Sequence, residues 1–389
     1  MRTAPRRHVF LSCGEASGDR YGAALLSALR ERDPYVRCTA LGGSALAAAG
    51  AEIVQSSADL AVMGFGGVVG ALPAILRARR RIWRHLADGG VDLVVPIDFP
   101  GFNLRVARRA RKLGLPVFYL VPPQLWAWGA WRIGGLRRSV DRLGTILPFE
   151  ADWFAERGVD VFPMGHPLVE DYGGWDLDGT IMAREQRFAS EEPLTLLLLP
   201  GSRRQEAARL ASILKVSASI VAAGLGRRSL RVVVSRAPGM DGALLRDAVG
   251  AGVDIRREPL PVLLKGADLA LVCSGTASLE AALAGVPHDI VYRTGALDYA
   301  LARRLVRVDR FGLANLILGE DLVPEHLQEE VAPVPLARSL QRWVHDAGER
   351  RRFYAGVRRL REACGPPGVW SRTAEALLDH LDRQRAARR

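Results

Sequence analysis

Two segments combine glycine with hydroxyl and charged residues in a spacing that suits the binding of a phosphate. In LPGSRRQE, an apolar run is followed by Gly201, Ser202 and Arg203 and then by a helical pattern. Backbone N–H groups at a strand-to-helix junction bind anions, and the helix dipole adds to the attraction. Arg203 and Arg204 can donate charged hydrogen bonds. The alternative is an ordinary turn with solvent-exposed arginines, and this segment alone leaves both open.

The segment SGTASLE repeats this design further along the chain. Ser274, Gly275 and Thr276 form the turn, and Glu280 lies about one helical turn beyond it. The Glu280 carboxylate could bind a ribose diol or serve only to offset the helix dipole. Two anion-binding turns in one half of the chain favour a nucleotide diphosphate over a single phosphate.

A third glycine-rich turn, GEASGD, follows the first apolar run. Glycine permits a close approach of the backbone to a ligand. The turn is not GxGxxG and lacks the lysine of a P-loop, so neither a dinucleotide nor an ATP motif is indicated. Its candidate residues are Gly14, Glu15, Ser17, Gly18 and Asp19.

Asp98 ends an apolar run in IDFPGFN, at a position where a carboxylate can act as a general base. The alternative is that Asp98 caps the helix that starts near Pro100. In PPQLWAWGAWR, Gln124 and Trp126 belong to an aromatic segment that suits sugars, bases or acyl chains, or else forms a core cluster.

No metal site is predicted. The motif Asp176-Leu177-Asp178 lies in a polar stretch without partner ligands, and we interpret it as a solvated turn. The four cysteines form no CxxC and have no histidine cluster beside them, which argues against a zinc site and against a disulfide framework. No cofactor is indicated, and the cysteine usage favours a reducing cytoplasm.

The elements that must position these residues alternate between apolar strands and helical patterns. Because the strands are almost wholly apolar, they predict parallel sheets that are covered by helices on both faces. The pattern starts again after a polar stretch at 170–192, so we expect two doubly wound α/β domains with ligands at the carboxyl ends of the strands. The expected strands are 8–13, 36–42, 92–98, 116–120, 141–147, 159–164, 195–200, 230–237, 266–275 and 288–293.

Charge and hydropathy restrict the kinds of binding partner that we expect for this chain. The 389-residue chain has a formal net charge of +12, which fits anionic partners such as nucleotide diphosphates, nucleic acid or an acidic membrane face. No recognised nucleic-acid motif is present, and we predict no nucleic-acid partner. Segment 60–84 is apolar and then arginine-rich. On its own it favours a buried helix with a solvated basic end over a membrane interface.

The order and content of ten blocks resemble the lipid-A-disaccharide synthase family over most of the chain. The three most specific are GEASGD, PQLWAW and SGTASLEA. The chain departs from the usual family pattern at Arg20-Tyr21, Gly129 and His288-Asp289. The ten blocks are GEASGD, LGG…AAG at 41–50, VMGF, DFPGFN, PPQLWAW, PFE, GHPL, LPGSRRQE, SGTASLEAAL and NLILGEDLVPEHLQ.

The resemblance implies two Rossmann-like domains that face a cleft, in the glycosyltransferase B-type fold. It implies an inverting, metal-independent transfer from UDP-2,3-diacylglucosamine to 2,3-diacylglucosamine 1-phosphate (lipid X). Residues 1–169 would bind the acceptor and residues 170–344 the donor. The helices of 345–389 would pack back toward the first domain. A UDP-sugar 2-epimerase on the same fold is the alternative enzyme.

The resemblance also implies roles for individual residues. Asp98 would be the base, Arg203 would bind the leaving diphosphate, and Asn315 and Gln328 would line the donor site with the two turns. GEASGD, Gln124 and Trp126 would line the acceptor side. Segment 60–84 becomes a contact with acyl chains and the cytoplasmic face of the inner membrane. A homodimer is one option for the oligomeric state. The residues of the membrane contact would be Met63, Phe65, Leu72, Leu76, Arg79 and Arg80.

Overall fold

A computed structural model describes residues 7–61, 68–250, 252–295, 299 and 309–387. The chain forms two compact units, of which the first is Met1–Pro167 with Gly368–Arg389 and the second is Leu168–Pro367. The boundary at Pro167 lies two residues before the one we expect. Of the residues 345–389, those up to Pro367 belong to the second unit.

The first unit is built on a seven-stranded sheet in the order β3-β2-β1-β4-β5-β6-β7, in which every pair is parallel. The central strands β1 and β4 are fully buried, as the apolar runs predict. The strands are β1 His8–Cys13, β2 Arg37–Gly42, β3 Glu52–Ser56, β4 Leu93–Ile97, β5 Phe118–Leu120, β6 Arg142–Thr145 and β7 Val161–Pro163.

Helices cover this sheet, and the last helix, Val369–Ala386, returns from the end of the chain to pack on the first helix, Ala16–Arg32. A short 3-10 helix, Ala130–Arg132, precedes α6. The α-helices of this unit are α1 Ala16–Arg32, α2 Ser44–Ala48, α3 Ala58–Ala61, α4 Val68–Asp88, α5 Pro100–Lys112, α6 Ile133–Arg137, α7 Pro148–Ala155 and α17 Val369–Ala386.

The second unit contains a parallel sheet of six strands in the order β10-β9-β8-β11-β12-β13. Its central strands β8 and β11 are again apolar and buried. The strands are β8 Leu194–Leu199, β9 Leu230–Ser235, β10 Asp254–Arg256, β11 Leu269–Cys273, β12 His288–Tyr292 and β13 Glu325–Leu327.

The helices of the second unit lie between these strands and after the last one. The stretch 170–192, which we expect to connect the domains, contains the helix α9. A second 3-10 helix is Gln328–Glu330. The α-helices are α8 Val169–Tyr172, α9 Leu177–Ala189, α10 Arg204–Gly224, α11 Gly242–Val249, α12 Leu260–Lys265, α13 Thr276–Leu283, α14 Leu313–Leu318, α15 Pro333–His345 and α16 Ala347–Cys364.

The prediction of two doubly wound α/β folds is confirmed by these two parallel sheets. Three strands without a predicted counterpart, β3, β10 and β13, all lie at sheet edges. They are short and carry polar residues, so they lack the continuous apolar run that marks a buried strand.

One described helix, α10, is long and apolar enough to cross a membrane by length and composition alone. Its buried residues pack in the second unit, as in a core helix. In the expected membrane segment, Met63 and Phe65 lie outside the described residues, as does the side chain of Leu72. Leu76 is half-buried on α4, and Arg79 and Arg80 are exposed.

Candidate functional site

In the first unit, the GEASGD turn and Asp98 follow two neighbouring strands. β1 pairs with β4 up to Cys13 and Ile97, so Gly14 and Asp98 emerge side by side. A Cβ atom on Gly14 would lie 2.0 Å from the ring of Phe99. This contact makes a side chain at position 14 incompatible with the loop, and it brings together two segments that are far apart in sequence.

The backbone at Asp98 is strained. Asp98 and Phe99 have φ angles of 49° and 51°, and Val121, directly after β5, has a φ of 55°. Such left-handed conformations cost energy for residues other than glycine and concentrate at functional sites. Phe99, not Asp98, is the N-cap of α5, and no side chain caps this helix. The alternative role of Asp98 as the helix cap is therefore not observed.

Two buried side chains hold this strained turn. The carbonyl oxygen of Asp98 accepts a hydrogen bond from Nδ2 of Asn103 at 2.7 Å and one from the hydroxyl of Tyr119 at 2.8 Å. Nδ2 of Asn103 also donates to the carbonyls of Ser12 and Ile97, and its Oδ1 accepts from the Ser12 hydroxyl. Asn103 thus joins the ends of β1 and β4 to the turn.

This role of Asn103 is not among the roles that we predict from the sequence. The sequence feature that indicates it is the asparagine that ends DFPGFN. Asn103 is fully buried on an amphipathic helix, so its side-chain amide must form hydrogen bonds within the fold.

Burial raises the pKa of Asp98 above its ordinary value, and the nearby negative charge of Glu15 adds to the shift. A raised pKa makes a carboxylate a stronger base, and a general base works best when its pKa lies near the operating pH. Glu15 itself is exposed at the start of α1. The arrangement can therefore accept a proton from a ligand that enters above the ends of β1 and β4.

The other GEASGD residues differ in their surroundings. Asp19 is buried, and its carboxylate accepts hydrogen bonds from the backbone N–H groups of Gly43, Ala45 and Leu46. These bonds fix the start of α2, which gives Asp19 a structural role in the described chain. Gly18 lies against the ends of β1 and β4, while Ser17 is half-buried.

The PQLWAW segment is tied to the PFE segment by one side chain. Nε1 of Trp126 donates to Oε1 of Glu150 at 3.0 Å, and the Trp126 ring packs edge-on against Phe149. Gln124 is exposed, as are Trp128 and, with 86% exposure, Trp131. The three tryptophans therefore do not form a core cluster, which was the alternative interpretation.

In the second unit, the two predicted phosphate turns lie next to each other. β8 and β11 are neighbours, with Leu199 opposite Val272, so the loops that follow them share one edge of the sheet. Gly201 has a φ of 108°, and a Cβ there would collide with Glu206. Gly275 has a φ of 149° and open space beside it. The N-termini of α10 and α13 thus open at the same edge, where a diphosphate can accept backbone hydrogen bonds.

Arg203 is the residue just before α10, and Ser202 beside it is exposed. The Arg203 side chain is 77% exposed and forms an ion pair with Glu206 at 3.0 Å. Exposed pairs of this kind contribute little to stability, so the guanidinium can exchange Glu206 for a phosphate at small cost. Ser274 and Thr276 flank Gly275 on the neighbouring turn.

Glu280 on α13 is held from one side by a buried tyrosine. The hydroxyl of Tyr172 donates to Oε2 of Glu280 at 2.8 Å, and Tyr172 is fully buried. Tyr172 is not predicted as a site residue from the sequence, because its partner is 108 positions away. The bond therefore orients the Glu280 carboxylate.

Asn315 and Gln328 use their amide groups to hold the backbone. Nδ2 of Asn315 donates to the carbonyl of Val323 and to Glu325, and its Oδ1 accepts from the N–H of Val323. Oε1 of Gln328 accepts from the N–H of Thr294. Asn315 therefore holds the segment that leads into β13, and Gln328 holds the loop that follows β12. Direct contact of either residue with a donor stays a prediction.

The three departures from the family pattern have local structural reasons. Tyr21 packs against Trp370 of α17, with ring centroids 5.3 Å apart. Gly129 has a φ of 85°, which favours glycine. Asp289 is fully buried and accepts hydrogen bonds from Nε1 of Trp343 and Nε2 of His326.

Among the described residues, no group of three or more histidine, cysteine, aspartate or glutamate side chains could hold a metal ion. The DxD motif is not the solvated turn that we expect, because it begins a helix. Asp176 caps α9 by accepting from the N–H of Gly179 at 3.0 Å, and Asp178 in the first turn pairs with Arg358.

Comparison with known proteins shows which protein family the chain is similar to. A model of the family described as lipid-A-disaccharide synthetase matches residues 9–363. A lipid-A-disaccharide synthase of Myxococcus xanthus is 36% identical to the chain over 391 residues, covering 98% of this chain and 99% of the relative.

Solved structures with low sequence identity share the fold. The glycotransferase of kitacinnamycin has a TM-score of 0.62 at 16% identity, with 98% of this chain and 100% of that chain covered. A putative UDP-N-acetylglucosamine 2-epimerase from Listeria monocytogenes has a TM-score of 0.63 at 11% identity, with 97% and 98% covered. These likenesses bear on the fold alone and confirm the glycosyltransferase B-type architecture. They do not favour the epimerase alternative.

Proposed function

Because the chain belongs to the lipid-A-disaccharide synthase family, we propose that it condenses UDP-2,3-diacylglucosamine with 2,3-diacylglucosamine 1-phosphate. The acceptor 6-hydroxyl oxygen forms a bond to C1 of the donor sugar while the bond from C1 to the UDP oxygen breaks. The products are lipid A disaccharide 1-phosphate and UDP. The transfer inverts the configuration at C1 and proceeds without a metal ion.

The second unit binds the donor. Backbone N–H groups of Gly201, Ser202 and the Ser274-Gly275-Thr276 turn hold the diphosphate, and Arg203 neutralises the charge that develops on the leaving group. Glu280 accepts hydrogen bonds from the ribose. The observation that supports this most directly is the adjacency of the two turns at the ends of β8 and β11.

The first unit binds the acceptor, and Asp98 removes the proton from its 6-hydroxyl. The support for this assignment is the raised pKa of Asp98 and the network of Asn103 and Tyr119 that fixes its backbone. Glu15 and Gly14 line the same edge, and Gln124 and Trp126 extend it. A base that is fixed before the substrate arrives loses little entropy in the reaction.

The acyl chains of both substrates require access to a lipid phase. We assign segment 60–84 to a peripheral contact with the cytoplasmic face of the inner membrane. Most of its described residues lie on the amphipathic helix α4, which carries Leu76 and the exposed Arg79 and Arg80. Arginines at an interface can bind lipid phosphates while apolar residues enter the acyl layer.

The replacement Asp98→Asn tests the assignment of the base. It preserves the size of the side chain and removes proton acceptance, so turnover should fall by about 100-fold to 10,000-fold, in the range of general-base contributions. UDP affinity, measured by calorimetry, should stay unchanged. The raised pKa predicts that the acidic limb of the wild-type rate lies above the ordinary aspartate range. Product formation is followed by mass spectrometry.

The matched control is Glu31→Gln, which neutralises an exposed carboxylate on α1 of the same unit. This variant should retain wild-type turnover. Near-normal activity of Asp98→Asn would exclude Asp98 as the base. Conversion of the UDP-sugar in the absence of any acceptor would contradict the transferase assignment itself, since an epimerase needs no acceptor.

A further inference from the structure

The helices α4 and α5 of the first unit line a cationic groove, which we define by Arg79, Arg105, Arg108, Arg109 and Lys112. The groove has a volume of about 220 Å³, and Trp83 forms part of its lining. The four cations on α5 follow the spacing i, i+3, i+4 and i+7, which places them along one face of the helix.

None of these five cations forms an ion pair with another described residue. The Nε atom of Arg109 is buried and has no hydrogen-bond partner among the described residues. By contrast, Arg111 on another face of α5 is paired with Asp141 at 2.6 Å. Like charges that lie close together without counterions raise the free energy of the folded state. An anion bound in the groove would lower it, so the groove is suited to bind an anion.

The helix dipole explains only part of this cluster. Cations in the last turn of a helix are stabilised by the dipole, which accounts for Arg109 and Lys112. The effect decays within one turn, so it does not account for Arg105, nor for Arg79 in the middle of α4. A second helix that contributes a cation to the same groove indicates a ligand with phosphate chemistry.

We propose that the cationic groove binds the phosphate groups of anionic lipids at the membrane surface. Trp83 supports a lipid surface, because tryptophan beside cations is typical of the membrane interface. Trp83 is also anchored, since its ring packs against Phe102 with centroids 6.4 Å apart.

The position of the groove argues against a phosphate of the reacting substrate as its ligand. Arg109 lies nine residues after the first residue of α5, which corresponds to roughly 14 Å along the helix axis at 1.5 Å per residue. Asp98 lies at the opposite end of that helix. The groove therefore adds a second, headgroup-binding contact. It rests on the proposed membrane association of segment 60–84 and extends it to α5.

The test compares two triple variants of the full chain. The groove variant carries Arg105→Gln, Arg108→Gln and Lys112→Gln. The matched control carries Arg227→Gln, Arg246→Gln and Arg257→Gln, which remove the same charge from exposed positions of the second unit. Binding is measured by co-sedimentation with vesicles of phosphatidylcholine alone or of phosphatidylcholine mixed with phosphatidylglycerol. Circular dichroism verifies that both variants are folded.

Each neutralised cation near an anionic surface should weaken binding about five-fold, so the groove variant should bind phosphatidylglycerol vesicles on the order of 100-fold more weakly than wild type. The control should remain within a few-fold of wild type. Equal losses in both variants would assign the effect to net charge and overturn the proposal. It would also be overturned if wild type bound both kinds of vesicle equally. A groove variant that lost binding to duplex DNA but kept binding to vesicles would favour a nucleic-acid partner instead.

Transferase activity on detergent-dispersed substrates separates this inference from the proposed function. The groove variant should retain wild-type turnover there, because no groove residue takes part in the reaction. Absence of turnover in the wild type would contradict the proposed function. The vesicle measurements would still test whether the groove binds anionic lipids.

Discussion

Arg203 and Arg204 are adjacent in the chain, but they occupy different positions at the start of α10. Arg203 precedes the helix and is paired with Glu206, whereas Arg204 is the first helical residue and is exposed. Only Arg203 belongs to the turn that contains Gly201 with its left-handed backbone. The two arginines therefore provide a comparison in which residue type and charge are the same and only position differs.

Replacing Arg203 with alanine should weaken UDP binding by about 1.5–3 kcal/mol, the range for the loss of a charged hydrogen bond. Isothermal calorimetry with UDP measures the change. Arg204→Ala is the control and should alter the affinity little. If the two variants lost affinity equally, general electrostatic attraction would explain the effect and the specific role of Arg203 would be wrong.

At the scale of elements, Glu150 couples the PQLWAW segment to the start of α7. Its carboxylate accepts from Trp126 and from the N–H groups of Ile146 and Leu147, yet the side chain is only 1% exposed. Burial is the dominant effect and raises the pKa of Glu150 from 4.5 to about 7. The folded state therefore binds this proton more tightly than the unfolded state does.

This shift predicts a pH-dependent stability of the first unit. Because the folded pKa is raised, the contribution of Glu150 is fully present below pH 4.5 and is lost as the pH rises through about 7. The loss has an upper bound of about 3 kcal/mol, from 1.36 kcal/mol per unit. Denaturant unfolding at a series of pH values should show this slope in wild type and a flatter profile in Glu150→Gln.

The exposed residue Glu156, which follows α7, serves as a control for that experiment. Glu156→Gln should keep the wild-type slope. An unchanged slope in Glu150→Gln would mean that another group causes the pH dependence.

At the scale of the whole molecule, the chain leaves the first unit at Pro167 and re-enters it at Gly368. The returning helix α17 packs on α1, and its residues Leu377 and Leu381 are buried. An ion pair of Arg32 with Glu375 joins α1 to α17, and one of Arg7 with Asp382 joins the residue before β1 to α17. The first unit is therefore not complete within residues 1–167.

Truncation after Pro367 should destabilise the first unit strongly. Burial of large apolar side chains contributes about 1.5–3 kcal/mol each, and a typical domain has a total stability of only about 5–15 kcal/mol. We expect loss of the first-unit transition in thermal unfolding and a low soluble yield. A chain that ends at Ala386 keeps α17 and should unfold like wild type. An unchanged midpoint after the longer truncation would show that α17 is dispensable.

The residues of the proposed site differ in how much of their structural environment could be predicted from the sequence. Asp98, Gly201 and Gly275 lie where an apolar run ends, and the ends of parallel strands meet at one edge of a sheet. Asp19, Asn315 and Gln328 lie in other blocks of the same resemblance, and their polar groups bond to backbone atoms 8 to 34 positions away. Such pairings depend on strand register and loop path, which local residue types do not encode.

The sequence by itself determined the two parallel sheets and the two glycine-containing turns that we propose as the diphosphate site. Buried strands need continuous apolar runs, and close backbone approach needs glycine, so both leave local signals. Only the tertiary structure decided the short edge strands, the return of α17, and the partners of Asn103 and Tyr172. Those features arise from contacts between residues that are far apart in the chain, where burial forces each polar group to find a partner.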